Sequence, residues 1–211
     1  MKKKYKKIGI IDCGFGNIAS LINAIKYLNC EYVIIKKPEN LTNLTHLILP
    51  GVGSFNLSAK KLRNLGWING IKDFIKFSKP FMGICLGMQL MFEDGSEHGH
   101  EKGLGLFQGR CELFSKNLNI KLPHMGFNLV NNFPSKIWQN IPKNSPFYFV
   151  HSYRVTDNDF KNSKDIKISK TFYGEKFISF IEKDKIFGAQ FHPEKSHNVG
   201  LKLIENFLDV I

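Results

Sequence analysis

Cysteine is scarce and scattered in this chain of 211 residues. The four cysteines are Cys13, Cys30, Cys85 and Cys111, and no two of them lie in a close pair. That spacing argues against a zinc site. A chain of this length buries roughly 70% of its unfolded surface, so it needs no disulfide framework or metal to fold. We expect neither a bound metal nor a cofactor.

Long hydrophobic runs are also lacking. The N-terminal segment Met1–Lys7 is basic, and the apolar stretch that follows stops at Asp12. This stretch is too short to cross a membrane, and no small-residue cleavage pattern follows it. We therefore expect no signal peptide and no membrane anchor, which predicts a cytoplasmic protein.

Acidic residues are in deficit, with 18 against 30 basic residues and a formal net charge of +12. Such a surplus attracts polyanions through counterion release. The lysines, however, are spread along the chain, and no nucleic-acid motif or clustered aromatic face accompanies them. We expect no nucleic-acid partner and assign most of the charge to solvated faces. The sequence leaves open any further role of the surplus.

No repeat, low-complexity tract or linker divides the chain, which predicts a single domain over residues 1–211. Segments Lys7–Asp12 and Tyr32–Ile35 are predicted strands on either side of a helix. The next predicted elements are a strand at 46–49, helical segments within 57–77, a strand at 80–84 and, after short strands, a helix at 199–208 that Ser196 could cap. This order predicts an α/β fold. Its mostly parallel sheet is flanked by helices, with additional antiparallel strands in the second half, and Thr156–Lys164 is a predicted surface loop.

The segment Gly14–Ala19 has the glycine spacing of a dinucleotide-binding turn, since it follows the first strand and opens the first helix. A dinucleotide site also needs an acidic residue at the end of the second strand to hold the ribose. Here that strand runs into Lys36 and Lys37. The segment is therefore interpreted as a structural turn.

A candidate nucleophile is Cys85, which lies between Gly83 and Gly87 where an apolar strand meets a helix-compatible run. A tight strand-to-helix turn pushes its central side chain out of the sheet. The N-terminus of the next helix directs free N–H groups and partial positive charge towards it, which favours the reactive thiolate. The alternative is a small buried core residue, which is what an isolated cysteine usually is.

A candidate base and its orienting group follow the apolar strand Ile186–Phe191, in His192-Pro193-Glu194. An imidazole can take and return the thiol proton, and a carboxylate two residues later can fix its tautomer. The chain order of cysteine, histidine and glutamate differs from that of the α/β-hydrolases. The local signature of papain-like proteases is absent.

Two long motifs, Gly83-Ile84-Cys85-Leu86-Gly87-Met88-Gln89-Leu90 and Gln190-Phe191-His192-Pro193-Glu194-Lys195-Ser196, together resemble the class I glutamine amidotransferases. That class has a flavodoxin-like sheet. Three further segments resemble the glutaminase subunits of imidazole glycerol phosphate synthases within it: Pro50–Phe55, Pro123–Gly126 and Tyr148–Tyr153. The resemblance extends from about Ile8 to Phe207.

The resemblance implies a glutaminase in which Cys85 attacks the amide of glutamine, with His192 as acid and base and Glu194 as its orienting group. The backbone N–H of Leu86 and that of Val52, with Gly53 beside it, would form the oxyanion hole. The implied substrate-binding residues are Gly51, Gln89, His151, Ser152 and Tyr153. Taken alone, residues 50–53 would be an ordinary turn and Gln89 an ordinary polar helix residue.

The resemblance also implies a partner, because ammonia released into neutral water becomes ammonium and is no longer nucleophilic. The expected partner is a (β/α)-barrel cyclase subunit, which would form a heterodimer with this chain and make imidazole glycerol phosphate and an aminoimidazole carboxamide ribotide in histidine biosynthesis. The implied interface residues are Phe15, Asn17, Met125 and Phe127. Relatives commonly have tryptophan at the position of Phe127 and other residues at that of Cys13.

Two alternatives remain from the sequence. The residues Glu194–His197 also resemble paralogues that supply ammonia to a sugar-modifying amidotransferase in surface-polysaccharide synthesis. In that case the glutaminase chemistry is the same and only the acceptor differs. The other alternative is a partner-binding relative that has lost turnover, which the intact cysteine, histidine and glutamate disfavour.

Overall fold

A seven-stranded sheet with the order β11-β12-β13-β4-β3-β1-β2 forms the centre of the computed structural model, which describes residues 6–15, 18–156, 160 and 165–211. The strands of this sheet are β1 (Lys7–Ile11), β2 (Glu31–Ile35), β3 (His46–Leu49), β4 (Phe81–Ile84), β11 (Lys167–Tyr173), β12 (Glu175–Lys183) and β13 (Ile186–Ala189). Strands β2, β1, β3, β4 and β13 pair in parallel, whereas β11, β12 and β13 pair antiparallel.

Five α-helices accompany the strands within the described residues. They are α1 (Ala19–Tyr27), α2 (Phe55–Asn64), α3 (Trp67–Lys76), α4 (Leu86–Gln89) and α5 (His197–Leu208). The predicted helical region 57–77 is divided by Gly66, whose φ of 75° lies in the left-handed region that favours glycine. The helix predicted after Cys85 is a single turn, because the chain enters a new strand at Phe92.

The remaining strands form two smaller sheets. One has the order β10-β7-β5-β6, and the other pairs β8 with β9 antiparallel. Their bounds are β5 (Phe92–Gly95), β6 (Glu101–Lys102), β7 (Phe107–Leu113), β8 (His124–Val130), β9 (Ser145–His151) and β10 (Tyr153–Arg154). The predicted α/β fold with additional antiparallel strands in its second half is confirmed.

The core consists of two apolar clusters that correspond to the two faces of the central sheet. On β3, Ile48 belongs to the cluster that contains α1 and α5, whereas Leu47 and Leu49 belong to the cluster that contains α2 and α3. Successive residues of a strand point to opposite faces, so a parallel strand covered on both sides is buried along its whole length. All four residues of β3 and of β4 are buried for this reason.

Parallel strands place their carboxyl ends at one edge of the sheet, called here the carboxyl edge. Loop 50–54 follows β3 there, Cys85 follows β4 and His192 follows β13. The central strands therefore bring together segments that are more than 100 residues apart in sequence. Ligands of open α/β sheets bind at this kind of edge.

Two sequence predictions concern residues that are mostly not described, and a third, the helix cap at Ser196, is wrong. The predicted loop Thr156–Lys164 and the interface residue Asn17 lie largely or wholly outside the described residues. Ser196 precedes α5 but makes no side-chain cap, because its hydroxyl donates to the carbonyl of His192. Among the described helices, none combines the length and the apolar character that crossing a membrane requires.

Candidate active site

Cys85 sits on a strained turn between β4 and α4. Its φ is 53° and its ψ is −110°, a combination that residues with a Cβ rarely adopt. The flanking glycines make the turn possible: a Cβ on Gly87 would lie 1.8 Å from the carbonyl oxygen of Leu49, and one on Gly83 would lie 2.6 Å from that of Gly87. Only glycine fits at either position. The predicted nucleophile turn is therefore present in the backbone.

The imidazole of His192 is held by Glu194. Its Nδ1 atom lies 2.7 Å from Oε1 of Glu194, and the two side chains are only 3% and 5% exposed. Strand β13 pairs with β4 so that Ala189 lies opposite Ile84, and the backbone N–H of Cys85 donates to the carbonyl of Ala189 at 2.7 Å. This pairing brings the two predicted halves of the site together.

Helix α5 fixes the segment that carries Glu194. A Cβ on Gly200 would lie 1.9 Å from the carbonyl oxygen of Pro193, so this glycine allows α5 to pack directly on the segment. The hydroxyl of Ser196 donates to the His192 carbonyl at 2.6 Å and accepts from the backbone N–H of Tyr148 at 3.0 Å. The base is thus tied to α5 and to β9.

The charge on His192 is set by its neighbours. Burial alone would lower the pKa of the imidazole, but the charge and proximity of Cys85, together with Glu194, outweigh burial and raise the pKa to about 10. The Nε2 atom is buried and makes no well-directed hydrogen bond to a described residue. A protonated ring at neutral pH, with Nε2 uncommitted beside a cysteine, is suited to transfer a proton to a leaving group.

Loop 50–54 lies against the cysteine turn. A Cβ on Gly51 would be 3.1 Å from Cβ of Leu86 and 3.2 Å from the backbone nitrogen of Gly87. Gly53 has a φ of 113°, and the side chain of Val52 is exposed. The two backbone segments expected to supply the oxyanion donors are therefore adjacent.

Of the expected substrate-binding residues, three lie together beside the cysteine turn, whereas the ring of His151 is occupied by other protein groups. Gln89 is buried and its Nε2 atom donates to the carbonyl of Tyr153 at 3.0 Å, so these two lie together beside the cysteine turn. Ser152 is half-buried next to them, and its carbonyl accepts from Phe114. The ring of His151 is fully engaged with protein groups, since Nδ1 lies 2.8 Å from the Tyr153 carbonyl and Nε2 lies 3.1 Å from Nδ1 of His124.

The expected interface residues are mostly at the surface. Met125 and Phe127 alternate along β8 and are 62% and 50% exposed, while Phe15 is half-buried against the core. The ring of Phe127 stacks on His197 with centroids 5.2 Å apart, and it meets Tyr148 edge-on. Large exposed apolar side chains on one strand are typical of a contact surface.

Sequence reasoning did not single out two residues near the site. The amide of Gln190 lies 3.8 Å from the sulfur of Cys85, and the carboxylate of Glu97 accepts from the backbone N–H of Phe55 at 2.7 Å. That second contact holds the first residue of α2, directly after loop 50–54. No local pattern signals either contact, because the partners are 105 and 42 residues apart.

The other buried cysteines are poor nucleophiles. Burial, aided by Asp12, raises the pKa of Cys13 to about 12, although Lys61 opposes the shift. Burial likewise raises the pKa of the Cys111 thiol well above its usual range. A thiol reacts as the thiolate, so neither is reactive at neutral pH. Cys85 is also buried, with 5% of its surface exposed, but it differs from them in lying on the strained turn close to His192.

A large cavity lies away from the cysteine turn. Within the described part of the chain, no group of three or more histidine, cysteine or acidic residues could hold a metal ion. The cavity, of about 910 Å³, opens at the amino edge of the sheet, where His46, Pro80 and Val210 contribute to its lining. It is separate from Cys85 and His192, which lie at the carboxyl edge.

Comparison with known proteins identifies the family. The family described as "Glutamine amidotransferase class-I" matches residues 9–211. The subunit HisH 1 of imidazole glycerol phosphate synthase from Campylobacter jejuni (strain RM1221) is 43% identical over 95% of this chain and 98% of its own length. The HisH subunits from Sulfurimonas denitrificans and Geobacillus sp. (strain WCH70) are 42% and 40% identical, over 95% and 97% of this chain and 96% and 97% of theirs.

Solved structures support the same fold at lower identity. A glutamine amidotransferase crystal structure superposes with a TM-score of 0.72 at 17% identity, covering 96% of this chain and 97% of that one. A glutamine amidotransferase from Thermotoga maritima gives a TM-score of 0.64 at 15% identity, with 98% and 84% covered. With the family match and the relatives above, these findings show that the chain belongs to the class I glutamine amidotransferases.

Proposed function

We propose that this chain is the glutaminase subunit of an imidazole glycerol phosphate synthase and forms one glutamine amidotransferase domain over residues 1–211. The observation that carries the proposal is the Cys85, His192 and Glu194 arrangement in a chain 43% identical, over 95% of its length, to a subunit of that name. The reaction is the hydrolysis of glutamine to glutamate and ammonia for histidine biosynthesis.

Cys85 is the proposed nucleophile. Its sulfur attacks the side-chain amide carbon of glutamine, and the C–N bond breaks after His192 transfers its Nε2 proton to the departing nitrogen. Ammonia and a glutamyl thioester result. The neutral imidazole then takes a proton from water, whose oxygen attacks the thioester carbon and releases glutamate. The hydrogen bond from Nδ1 to Glu194 keeps the ring in one orientation through both steps.

The oxyanion of each step needs donors that are already in place. We assign them to the backbone N–H groups of Leu86 and Val52, with Gly53 allowing the loop its conformation. The contact of Gly51 with the cysteine turn supports this assignment, because it brings both segments to the same point. Gly51, Gln89, His151, Ser152 and Tyr153 are the proposed substrate-binding set. Because the ring of His151 is already hydrogen-bonded within the protein, we assign this residue a role through its backbone and through its hydrogen bond to the Tyr153 carbonyl.

A partner subunit receives the ammonia in this proposal. It is a (β/α)-barrel cyclase. We assign its contacts to the exposed β8 face, through Met125 and Phe127, and to the segment that follows β1 in sequence, through Phe15 and Asn17. The two chains form a heterodimer that makes imidazole glycerol phosphate and an aminoimidazole carboxamide ribotide. Half-exposed aromatic and methionine side chains in this region support an interface here.

The test is Cys85→Ser in the complex with the cyclase. Glutamine-dependent synthesis should be lost, while synthesis from added ammonia should continue at the parent rate, because the cyclase site is untouched. Cys30→Ser is the matched control, since Cys30 is a partly buried cysteine at the amino edge of the sheet. It should retain both activities. Survival of the glutamine-dependent rate in Cys85→Ser would show that Cys85 is not the nucleophile.

The acceptor is tested separately by stimulation of glutamine hydrolysis. We expect the cyclase and its nucleotide ligand to raise the rate. Stimulation by a sugar-modifying amidotransferase and not by the cyclase would assign the chain to the surface-polysaccharide paralogues instead. The proposal of glutamine hydrolysis would then remain, and the proposal of a role in histidine biosynthesis would be refuted.

A further inference from the structure

A chain of side-chain hydrogen bonds leads from β8 to the sulfur of Cys85, called here the amide–imidazole chain. Its members are Asn128, His124, His151, Gln89 and Gln190, linked in the middle by the carbonyl of Tyr153. The two histidines and two glutamines are buried, and Gln190 is 0% exposed. Buried polar networks of this kind stabilise one arrangement only when every member is satisfied.

In the part of the amide–imidazole chain that runs from Asn128 to His151, the carbonyl of Tyr153 decides which groups donate, because a carbonyl can only accept. His151 must therefore donate from Nδ1, at 2.8 Å, which leaves its Nε2 as an acceptor in the neutral ring. His124 then donates from Nδ1 to that Nε2 at 3.1 Å, and its own Nε2 accepts from Asn128 at 3.3 Å. Burial lowers the pKa of His151 to about 3 and that of His124 to about 4, so both rings are neutral as this pattern requires.

The same carbonyl also determines the amide orientations of Gln89 and Gln190, which form the rest of the amide–imidazole chain. Gln89 turns Nε2 towards the Tyr153 carbonyl, and the same nitrogen donates to Oε1 of Gln190 at 3.0 Å. Because Oε1 of Gln190 is the acceptor, its Nε2 group must face the other way, where it lies 3.8 Å from the sulfur of Cys85. Each amide orientation thus follows from the one before it.

We propose that Gln190 is a positioning residue, whose amide N–H holds the Cys85 sulfur in its reactive place because the amide–imidazole chain fixes its orientation. The inference deepens the proposed function and rests on Cys85 being the nucleophile. A hydrogen bond to a thiolate stabilises the charged form, and a donor of fixed orientation also limits where the sulfur can lie. Neither proton transfer by His192 uses this amide.

The test measures alkylation of Cys85 by iodoacetamide in the isolated chain, which requires neither glutamine nor a partner. Gln190→Met keeps the approximate volume and removes the donor. Loss of one hydrogen bond to a charged group should slow alkylation about tenfold at pH 7. At pH 10, which is above the ordinary cysteine thiol pKa of about 8.5, the rate should return to within about twofold of the parent. A role in packing alone would not produce this dependence on pH.

Asn206→Leu is the matched control. Asn206 is another buried amide, which donates to the carbonyls of Ile137 and Gln139 at 3.0 and 2.7 Å, far from the sulfur. Its replacement should lower the melting temperature and leave the alkylation rate unchanged. His124→Phe tests the upstream part, since it keeps the ring stacked between Phe149 and Tyr173 and removes the donor to His151. We expect alkylation about threefold slower at pH 7, again restored at pH 10.

The outcomes separate the two proposals. Parent-like alkylation at pH 7 in Gln190→Met and His124→Phe would overturn the positioning role, even if the parent complex hydrolyses glutamine. Equal slowing at both pH values would also overturn it, because it would indicate general distortion. If Gln190→Met does not fold, His124→Phe alone decides. A parent that alkylates as expected but hydrolyses no glutamine in the complex would refute the proposed function and not the contact.

Discussion

The two edges of the central sheet each carry a buried histidine, and the two rings have opposite pKa shifts. The pKa of His192 at the carboxyl edge is raised to about 10, whereas that of His46 at the amino edge is lowered to about 4. Both rings are nearly inaccessible. Burial acts in the same direction on each, since it disfavours the charged form. The difference therefore lies in the partners.

Those partners differ in charge. His46 contacts the hydroxyl of Thr45 at 2.9 Å and the carbonyl of Val210 at 3.1 Å, which are neutral groups. Lys6 lowers its pKa further, and this effect is larger than the opposing effect of Asp209. His192 instead faces Glu194 and Cys85, two groups that can carry negative charge. A buried imidazole can donate a proton at neutral pH only where such groups surround it, so the comparison separates a histidine suited to proton transfer from one that stays neutral.

The largest expected effect comes from exchanging each ring for the same amide. In the complex with the cyclase, His192→Gln should reduce glutamine-dependent turnover about ten-thousandfold or more, because both proton transfers are lost. His46→Gln should stay within about twofold of the parent, since no catalytic group contacts it. Steady-state assays with glutamine and with ammonia measure both. A similar loss of glutamine-dependent turnover in the two variants would show that the two histidines do not differ in their role.

Removal of the carboxylate at the carboxyl edge should have a smaller effect. Glu194→Gln keeps a hydrogen-bonding side chain but removes its charge, so turnover should fall about a thousandfold. The pKa of His192 should also fall, because one of the groups that raises it is gone. The high-pH limb of the activity profile should therefore move to lower pH. An unchanged limb would show that Glu194 does not support the protonated ring.

The smallest expected effect concerns stability at the amino edge. The pKa of His46 is lowered to about 4 in the folded chain, while an unfolded histidine titrates near its ordinary value of about 6.5. As the pH falls from about 6.5 to about 4, the unfolded state therefore binds a proton at this residue and the folded state does not. The folded state loses stability over that range. His124 and His151 act in the same direction.

Urea unfolding of the parent and of His46→Gln at pH 6.5 and pH 5 measures this contribution. The variant has no imidazole at that position, so its loss of stability between the two pH values should be smaller by about 1.6 kcal/mol. Equal losses in the two proteins would mean that His46 titrates alike in the folded and unfolded states. His192 should not change the comparison, because both proteins contain it and its contribution cancels.

The sequence predicted the elements that depend on local pattern. The buried strands, the tight turn at Cys85 and the pairing of His192 with Glu194 follow from apolar runs, glycine and short spacing. The family resemblance then predicted the fold and the approach of loop 50–54 to the cysteine. These features depend on residues close in sequence or on a long ordered motif.

Long-range polar contacts were not predicted. Gln190 lies inside one of the two long motifs, yet its contact with Cys85 depends on how β13 and β4 align in the sheet. Ser196 fits the pattern of a helix cap, but tertiary contacts engage its hydroxyl with His192 and Tyr148. The helix after Cys85 ends after one turn because β5 joins a separate sheet. Each of these outcomes is decided by the packing of distant segments.

The most direct test of the account is covalent labelling by an electrophilic glutamine analogue, followed by peptide mapping of the complex. We predict one modification per chain, on Cys85, and its loss in the presence of excess glutamine. Cys13 and Cys111, whose thiol pKa values are raised by burial, should remain unmodified. Labelling of another cysteine, or of none, would contradict the claim that Cys85 is the glutaminase nucleophile.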